Sequence, residues 1–302
     1  MNKVIQSYAE SVLSGGLLNR RQALELAQAG RTDFEDFLYW ADRIRRHFFG
    51  ETVHICSIVP GRLGGCSQDC AFCAQSVHYD TAVDKKPRLL TEEEIVSAAA
   101  EAKARRVNHF GIVTSGRSVP EGELQRLEGI IRRLRQEFGI RVCAALGILD
   151  EEAMKRLAAA GVERYNHNLE TSERHFPNIV KTHRYEERVA TIRAALKAGL
   201  KVCAGGIFGI GETLEDRIDM AMELRGLGVD MVPLNFLHPI PGTPLGTMPT
   251  LAPREILRIV ALYRFLLPQT HLKVAGGVCG TCGICKAGYF GRDVRASSAA
   301  IT

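Results

Sequence analysis

Two hydrophobic rhythms alternate along this chain. Short apolar runs of strand length occur at 53–59 (VHICSIV), 109–115 (HFGIVTS), 141–147 (RVCAALG), 164–169 (RYNHNL), 201–208 (KVCAGGIF), 230–237 (DMVPLNFL) and 271–276 (HLKVAG). Between them, apolar residues recur every three or four positions, the helical period. Examples are TEEEIVSAAAEAKARR, ELQRLEGIIRRLRQ, DEEAMKRLAAAG, YEERVATIRAALKAG, TLEDRIDMAMELRGLG and PREILRIVALYRFL. Thr91 with Glu94 predicts a capping box at the start of the first of these. Residues 1–50 read as helices only, with periodic patterns in RQALELAQ and FEDFLYWADRIRRHFF.

A strand–helix repeat of roughly 30 residues implies parallel strands joined by crossover helices. Seven such strands predict an α/β fold of the (β/α)8 TIM-barrel type, with the last β/α unit missing or altered. A doubly wound open sheet is the alternative. The predicted organisation is a helical segment at 1–50, a barrel domain at 51–277 and an atypical cysteine-rich tail at 278–302.

Composition narrows the function. The chain has 302 residues and a net charge of +5, with its basic residues scattered rather than gathered in a tail, so nucleic acid is not implied. No apolar run approaches the ~20 residues that span a bilayer. The N-terminus lacks the apolar stretch of a signal peptide, which points to the cytoplasm. In that reducing compartment nine cysteines suggest metal or redox chemistry rather than disulfides.

The sharpest motif is CSQDCAFCAQS, where Cys66, Cys70 and Cys73 follow the first strand at spacing C-x3-C-x2-C. In barrels of this type the functional groups gather where strands end. Three thiolates from one loop can hold three irons of a cubane cluster and leave the fourth iron open. A structural zinc site would want a fourth protein ligand. The spacing, with Phe72 before the last cysteine, is the signature of radical S-adenosylmethionine enzymes. The loop also resembles that of the biotin synthase family. So do YNHNLETS (165–172), KVCAGGIFGIGET (201–213), PLNFLHPIPGTPL (233–245) and HLKVAGG (271–277), in order, over about 55–277.

That resemblance implies a specific chemistry. Cys66, Cys70 and Cys73 would bind a 4Fe-4S cluster, with S-adenosylmethionine on the open iron. One-electron cleavage would give a 5′-deoxyadenosyl radical, which abstracts hydrogen from dethiobiotin before sulfur is inserted. Asn166, Asn168 and Asn235 would contact the ureido ring of dethiobiotin, and Glu170 the ribose of the cofactor, with Asn168 beside it. Arg188 would pair with the cofactor carboxylate. As alternate residues of one strand, Asn166, Asn168 and Glu170 are expected to share a face. Cys143 and Cys203 would ligate a second iron–sulfur cluster, 2Fe-2S or a variant. The resemblance further implies an electron-donor protein such as flavodoxin or ferredoxin, and a homodimer. The rival readings are another radical S-adenosylmethionine enzyme of similar fold, a non-catalytic metal-binding protein, or a degenerate enzyme.

The chain departs from the family in several places. Gly111 stands where a cysteine ligand is expected and Val278 where an arginine is expected; Cys56 is the candidate replacement. PGRLG at 60–64 replaces the usual Asn-Ala-Lys-Ser-Gly and is expected to loosen the fit beside the first cluster. Cys279, Cys282 and Cys285 form a C-x2-C-x2-C run just where the resemblance stops. The tail reads either as a substitute ligand set or as the product of a shifted reading frame after Gly277.

Overall fold

The computed structural model describes residues 1–51 and 54–274. Three helices come first: α1 (Lys3–Leu13), α2 (Arg20–Thr32) and α3 (Phe34–Phe49). The alternating part follows: β1 (Cys56–Leu63), β2 (Arg88–Leu89), α4 (Glu92–Ala104), β3 (His109–Thr114), α5 (Glu121–Phe138), β4 (Val142–Ala145), α6 (Glu151–Ala160), β5 (Val162–Asn166), α7 (Tyr185–Lys197), β6 (Lys201–Cys203), β7 (Gly206–Phe208), α8 (Leu214–Leu227), β8 (Met231–Phe236), α9 (Pro253–Leu266) and β9 (His271–Val274). The Thr91–Glu94 capping box that opens α4 is present. Gly161 and Gly228 end α6 and α8 in the left-handed conformation that favours glycine.

The strands form one sheet in the order β2-β1-β3-β4-β5-β6-β8-β7, with β9 also paired to β8. All pairs are parallel except β1 with β2. Among the described residues no hydrogen bonds join β9 to β1, yet the rings of His54 and His271 lie 5.0 Å apart, so the two edges approach each other.

Three details differ from the sequence expectation. The first strand starts later than 53 and runs to Leu63, passing Pro60 beside a register shift, the kind of irregularity where strands accept proline. KVCAGGIF is two short strands separated by Ala204 and Gly205; a Cβ on Gly205 would meet the Pro233 carbonyl oxygen at 2.1 Å, so glycine lets the backbones approach closely there. The short strand β2 was not foreseen at all; two exposed residues carry no periodicity.

The sheet has two chemically distinct faces. Phe110, Ile112, Val142, Ala144, Tyr165 and Val202 are all 0% exposed and carry the core against the surrounding helices. Burying a large apolar side chain stabilises by about 1.5–3 kcal/mol, so this layer dominates the stability. The N-terminal helices add a second layer: the rings of Phe37 (α3) and Phe265 (α9) lie 5.4 Å apart, and Arg20 (α2) pairs with Asp219 (α8) at 2.6 Å. No helix among the described residues is long and apolar enough to cross a membrane.

The other face is polar and sulfur-rich, and register alone assembles it. Ile58 pairs with Gly111, Gly111 with Cys143, Cys143 with Arg164, and Asn166 with Cys203. Partners in register point the same way, and so do residues two apart on one strand. Cys56, Gly111, Cys143, Arg164, Asn166 and Cys203 therefore share the interior side of the sheet.

Candidate metal and cofactor site

The cysteine loop leaves β1 through Gly64 and Gly65, both at positive φ. A Cβ on Gly64 would meet the Lys86 carbonyl oxygen at 2.5 Å, so only glycine fits. PGRLG is anchored by side-chain and backbone bonds. Arg62 pairs with Glu123 at 2.9 Å and also donates to the Ser118 carbonyl, and Gly64 N–H donates to Gln75 Oε1. Within the loop Cys73 N–H donates to the Cys70 carbonyl at 2.9 Å, and Val77 N–H to the Cys66 carbonyl at 2.9 Å.

The three thiols lie within electrostatic reach of each other. Burial pushes the Cys70 thiol up to about 12; Arg188 opposes that, while Glu170, Cys73 and Cys66 add to it. Burial also raises Cys73, with Cys66 and Glu170 adding. Among the described residues no three His, Cys, Asp or Glu side chains converge tightly enough to hold one metal ion. The donor set instead suits a cluster, which gives each thiolate its own iron and spaces the ligands apart. Its positive charge would stabilise thiolates that burial alone disfavours.

Beside this loop the chain continues from β5 into an irregular segment. The expectation of one shared strand face for Asn166, Asn168 and Glu170 is therefore corrected: β5 ends at Asn166, and Glu170 has φ of 70°. The side chains of Asn168 and Glu170 nevertheless meet, with Asn168 Nδ2 donating to Glu170 Oε2 at 3.3 Å. Gly206 permits the turn, since a Cβ there would lie 2.5 Å from the Glu170 carbonyl oxygen. Asn168 Oδ1 accepts from Gly205 N–H at 3.2 Å, and Asn235 Nδ2 donates to the Gly206 carbonyl at 3.1 Å. Arg188, on α7, donates through Nη1 to the Asn168 carbonyl at 2.8 Å and to Glu170 Oε1 at 3.3 Å. Burial holds the Glu170 carboxyl above its ordinary value, with Arg188 pulling it back. Asn166 Oδ1 is buried and has no hydrogen-bond partner among the described residues.

This arrangement joins one buried and two half-buried thiols, a guanidinium–carboxylate pair and several convergent amides on one side of a parallel sheet. The description "Radical SAM superfamily" matches residues 58–224, and "Biotin and Thiamin Synthesis associated domain" matches residues 233–278. The chain is 47% identical over 277 residues to the biotin synthase of Heliobacterium modesticaldum, covering 92% of this chain and 85% of that one. It is 44% identical over 271 residues to the biotin synthase of Akkermansia muciniphila, covering 90% and 83%. The chain belongs to the biotin synthase family. Among solved structures, methylornithine synthase (PylB) superposes with a TM-score of 0.78 at 20% identity, covering 88% of this chain and 78% of that one. The [FeFe]-hydrogenase maturase HydG gives 0.78 at 17%, covering 89% and 62%. At such identities these two bear on the fold alone, which is barrel-like. A 4Fe-4S cluster and S-adenosylmethionine follow from membership of the family.

Deeper in this biotin synthase homologue, the interior face brings a second group of thiols together. Burial pushes the Cys143 thiol up to about 12; Arg164 and Lys273 lower it, while Cys56 and Cys203 raise it. Burial pushes Cys203 up to about 11, with Lys273 and Arg164 opposing and Cys56 adding. Cys56, Cys143 and Cys203, from three different strands, thus sit within charge range of each other and of two cations. A Cβ on Gly111 would lie 3.9 Å from Cys143 Cβ and 3.2 Å from Ile58 Cγ2, so position 111 faces the same space and Ile58 crowds it. Two buried nitrogens on this face, His109 Nδ1 and Arg164 Nε, have no partner among the described residues. Sequence reasoning missed Arg164, because an arginine in a strand carries no motif. It also missed Gln68, Asp69 and His183, which hold the cysteine loop in place. Val278, Cys279, Cys282 and Cys285 lie outside the described residues.

Proposed function

We propose that Cys66, Cys70 and Cys73 hold the 4Fe-4S cluster, and that Arg188, Glu170 and Asn168 position S-adenosylmethionine beside it. The family's activity is radical sulfur insertion in biotin synthesis, and dethiobiotin is the substrate on this reading. What the bound cofactors supply is one-electron cleavage of a sulfonium and hydrogen abstraction from carbon. The chain's own residues bind, orient and exclude water. Arg188 would face the cofactor carboxylate, to which a guanidinium offers a charge-assisted hydrogen bond. Glu170 accepts from ribose hydroxyls. Asn166, Asn168 and Asn235 both donate and accept, matching a cyclic urea; the unpartnered Asn166 Oδ1 is the acceptor waiting for a ureido N–H.

Cys143 and Cys203 would hold the second iron–sulfur cluster, and Cys56 supplies the third thiolate in place of Gly111. The neighbouring guanidinium of Arg164 offsets the negative charge of such a thiolate set. Iron would neutralise the Cys143 and Cys203 thiolates that burial otherwise keeps protonated, so this pair suits an anionic, metal-filled site. A homodimer and an electron-donor protein such as flavodoxin or ferredoxin complete the reading.

The observation that carries it is the placement of the C-x3-C-x2-C loop within charge range of Arg188 and Glu170. The test is anaerobic reconstitution with iron and sulfide, followed by product analysis with dethiobiotin and S-adenosylmethionine. 5′-Deoxyadenosine reports the first site and biotin reports both. Iron-loaded protein that forms neither product overturns the reading.

A further inference from the structure

Two consecutive side chains of the cysteine loop, Gln68 and Asp69, leave it for one short segment of the chain. The Asp69 carboxylate accepts from Lys181 N–H at 3.0 Å, Thr182 N–H at 3.0 Å and Thr182 Oγ1 at 2.8 Å. Ala71 N–H donates to the Ile179 carbonyl at 2.9 Å. The loop is thus docked on the segment that leads into α7 and Arg188. The next residue of that segment is His183. Its Nδ1 lies 2.8 Å from Gln68 Oε1, and its Nε2 accepts from Arg188 Nε at 3.0 Å.

The donor inventory fixes the whole chain of bonds. Arginine can only donate, so Nε2 of His183 must carry the lone pair. The proton of the neutral imidazole then sits on Nδ1 and donates to Gln68 Oε1. Burial, with Arg188 and Arg117 adding, lowers the His183 pKa to about 4, in keeping with a neutral ring. Gln68, His183, Arg188 and Glu170 are all buried, each 9% exposed or less. Phe176 backs both partners: its ring is edge-on to His183 at 5.6 Å, and the Arg188 guanidinium lies 5.6 Å from its centroid.

The outcome is a guanidinium held from two sides. Nε is taken by His183, and Nη1 by the Asn168 carbonyl and Glu170. Nη2 is the arginine nitrogen with no protein partner among the described residues. We propose that His183 is a positioning residue: bridging Gln68 of the cysteine loop to Arg188 Nε, it aims the Nη2 edge of Arg188 at the cofactor carboxylate. The proposal rests on Arg188 as the carboxylate partner. Without the bridge, Arg188 would still be held through Nη1 by the Asn168 carbonyl and Glu170, but its plane would lose the second fixed point that sets its tilt about that nitrogen. A guanidinium that must be ordered on binding gives up affinity to a pre-ordered one.

The test compares reconstituted wild-type protein with His183→Phe, which keeps a ring but removes both bonds, and His183→Gln, which can donate and accept. Affinity for S-adenosylmethionine is measured by equilibrium dialysis, together with iron content and the change in the reduced cluster's EPR signal on cofactor addition. His183→Phe is expected to keep its iron and bind the cofactor about tenfold more weakly, the cost of one charged hydrogen bond. His183→Gln is expected to recover most of that loss, which a purely structural role for the ring would not allow. Wild-type affinity in His183→Phe overturns the proposal. Arg188→Ala is the control: if it too binds normally, the carboxylate assignment fails; if it alone weakens binding, only the His183 inference fails. Should His183→Phe not take up iron, Gln68→Met breaks the far end of the bridge. It is expected to weaken binding by about threefold, as loss of a neutral hydrogen bond does, and unchanged affinity in it counts equally against the proposal.

Discussion

The two thiol groups of this protein are built in opposite ways. Cys66, Cys70 and Cys73 come from one loop, so eight consecutive residues and two glycine turns suffice to gather them. Cys56, Cys143 and Cys203 come from β1, β4 and β6, and meet only because intervening strands keep them in register. A loop site tolerates changes in the sheet behind it. An interior site fails with any slip, because moving one strand by one residue sends its side chain to the other face. The loop site also lies beside the groups read as binding the cofactor, whereas the interior site lies among cations and orphaned polar atoms. The first should therefore assemble independently of the second, and the reverse need not hold.

The largest effect expected is in the loop. Cys70→Ala should abolish 5′-deoxyadenosine formation, because a three-thiolate site cannot spare a ligand. Wild-type turnover in that variant, measured by chromatography of the nucleoside, would sink the assignment. Next comes the interior. Cys56→Ala should eliminate biotin formation and lower iron content while leaving cofactor cleavage in place. If biotin forms at the wild-type rate, the third ligand lies elsewhere, and Cys279, Cys282 and Cys285 become the ones to replace.

Smaller effects sharpen the boundary between binding and folding. Asn166→Ala should weaken dethiobiotin binding by about 1–3 kcal/mol, the cost of leaving a polar group unpaired. Its melting temperature should barely move, since Asn166 Oδ1 has no protein partner to lose. Asn168→Ala should lower both, because Asn168 also holds Gly205 and Glu170. Equal behaviour of the two variants in calorimetry and binding would remove the distinction.

The smallest effect touches neither thiol group. Asp216 accepts from Ser172 and Arg174 through one oxygen and from Thr213 through the other. Burial opposes its ionisation, but these bonds outweigh burial and hold its carboxyl well below the usual range. A depressed folded-state pKa contributes stability that is present above the unfolded value and is lost as pH falls through the folded one. Asp216→Asn should thus cost about 1 kcal/mol at neutral pH, and the gap to wild type should narrow in acid. A constant gap in denaturant titrations from neutral to acid pH would contradict this.

Much of this was legible in the sequence, for identifiable reasons. Periodicity located the seven apolar runs that carry the parallel strands, one of them split in two, and the helices between them, and the Thr91 capping box marked its helix. The loop site was legible because its ligands are contiguous. Residues 164–170 were legible in composition but not in shape: alternation predicted a strand, and the left-handed turn at Glu170 became visible only with Gly205 and Gly206 packed against it. Register was illegible, so Cys56 was a candidate without a location until β1 and β3 paired. His183 was invisible for a similar reason. Its partner Gln68 is 115 positions away in the chain, and a lone histidine before a helix carries no signal of its own.

The central claim is that two independent thiol sets serve two iron–sulfur sites. The most direct measurement is iron and sulfide per chain, after anaerobic reconstitution, in wild type and in a variant with Cys56, Cys143 and Cys203 all replaced by alanine. The variant should retain the iron and sulfide of a single 4Fe-4S cluster, and should still cleave S-adenosylmethionine while forming no biotin. Iron content equal to wild type would contradict the interior site, and loss of cofactor cleavage would contradict its independence from the loop.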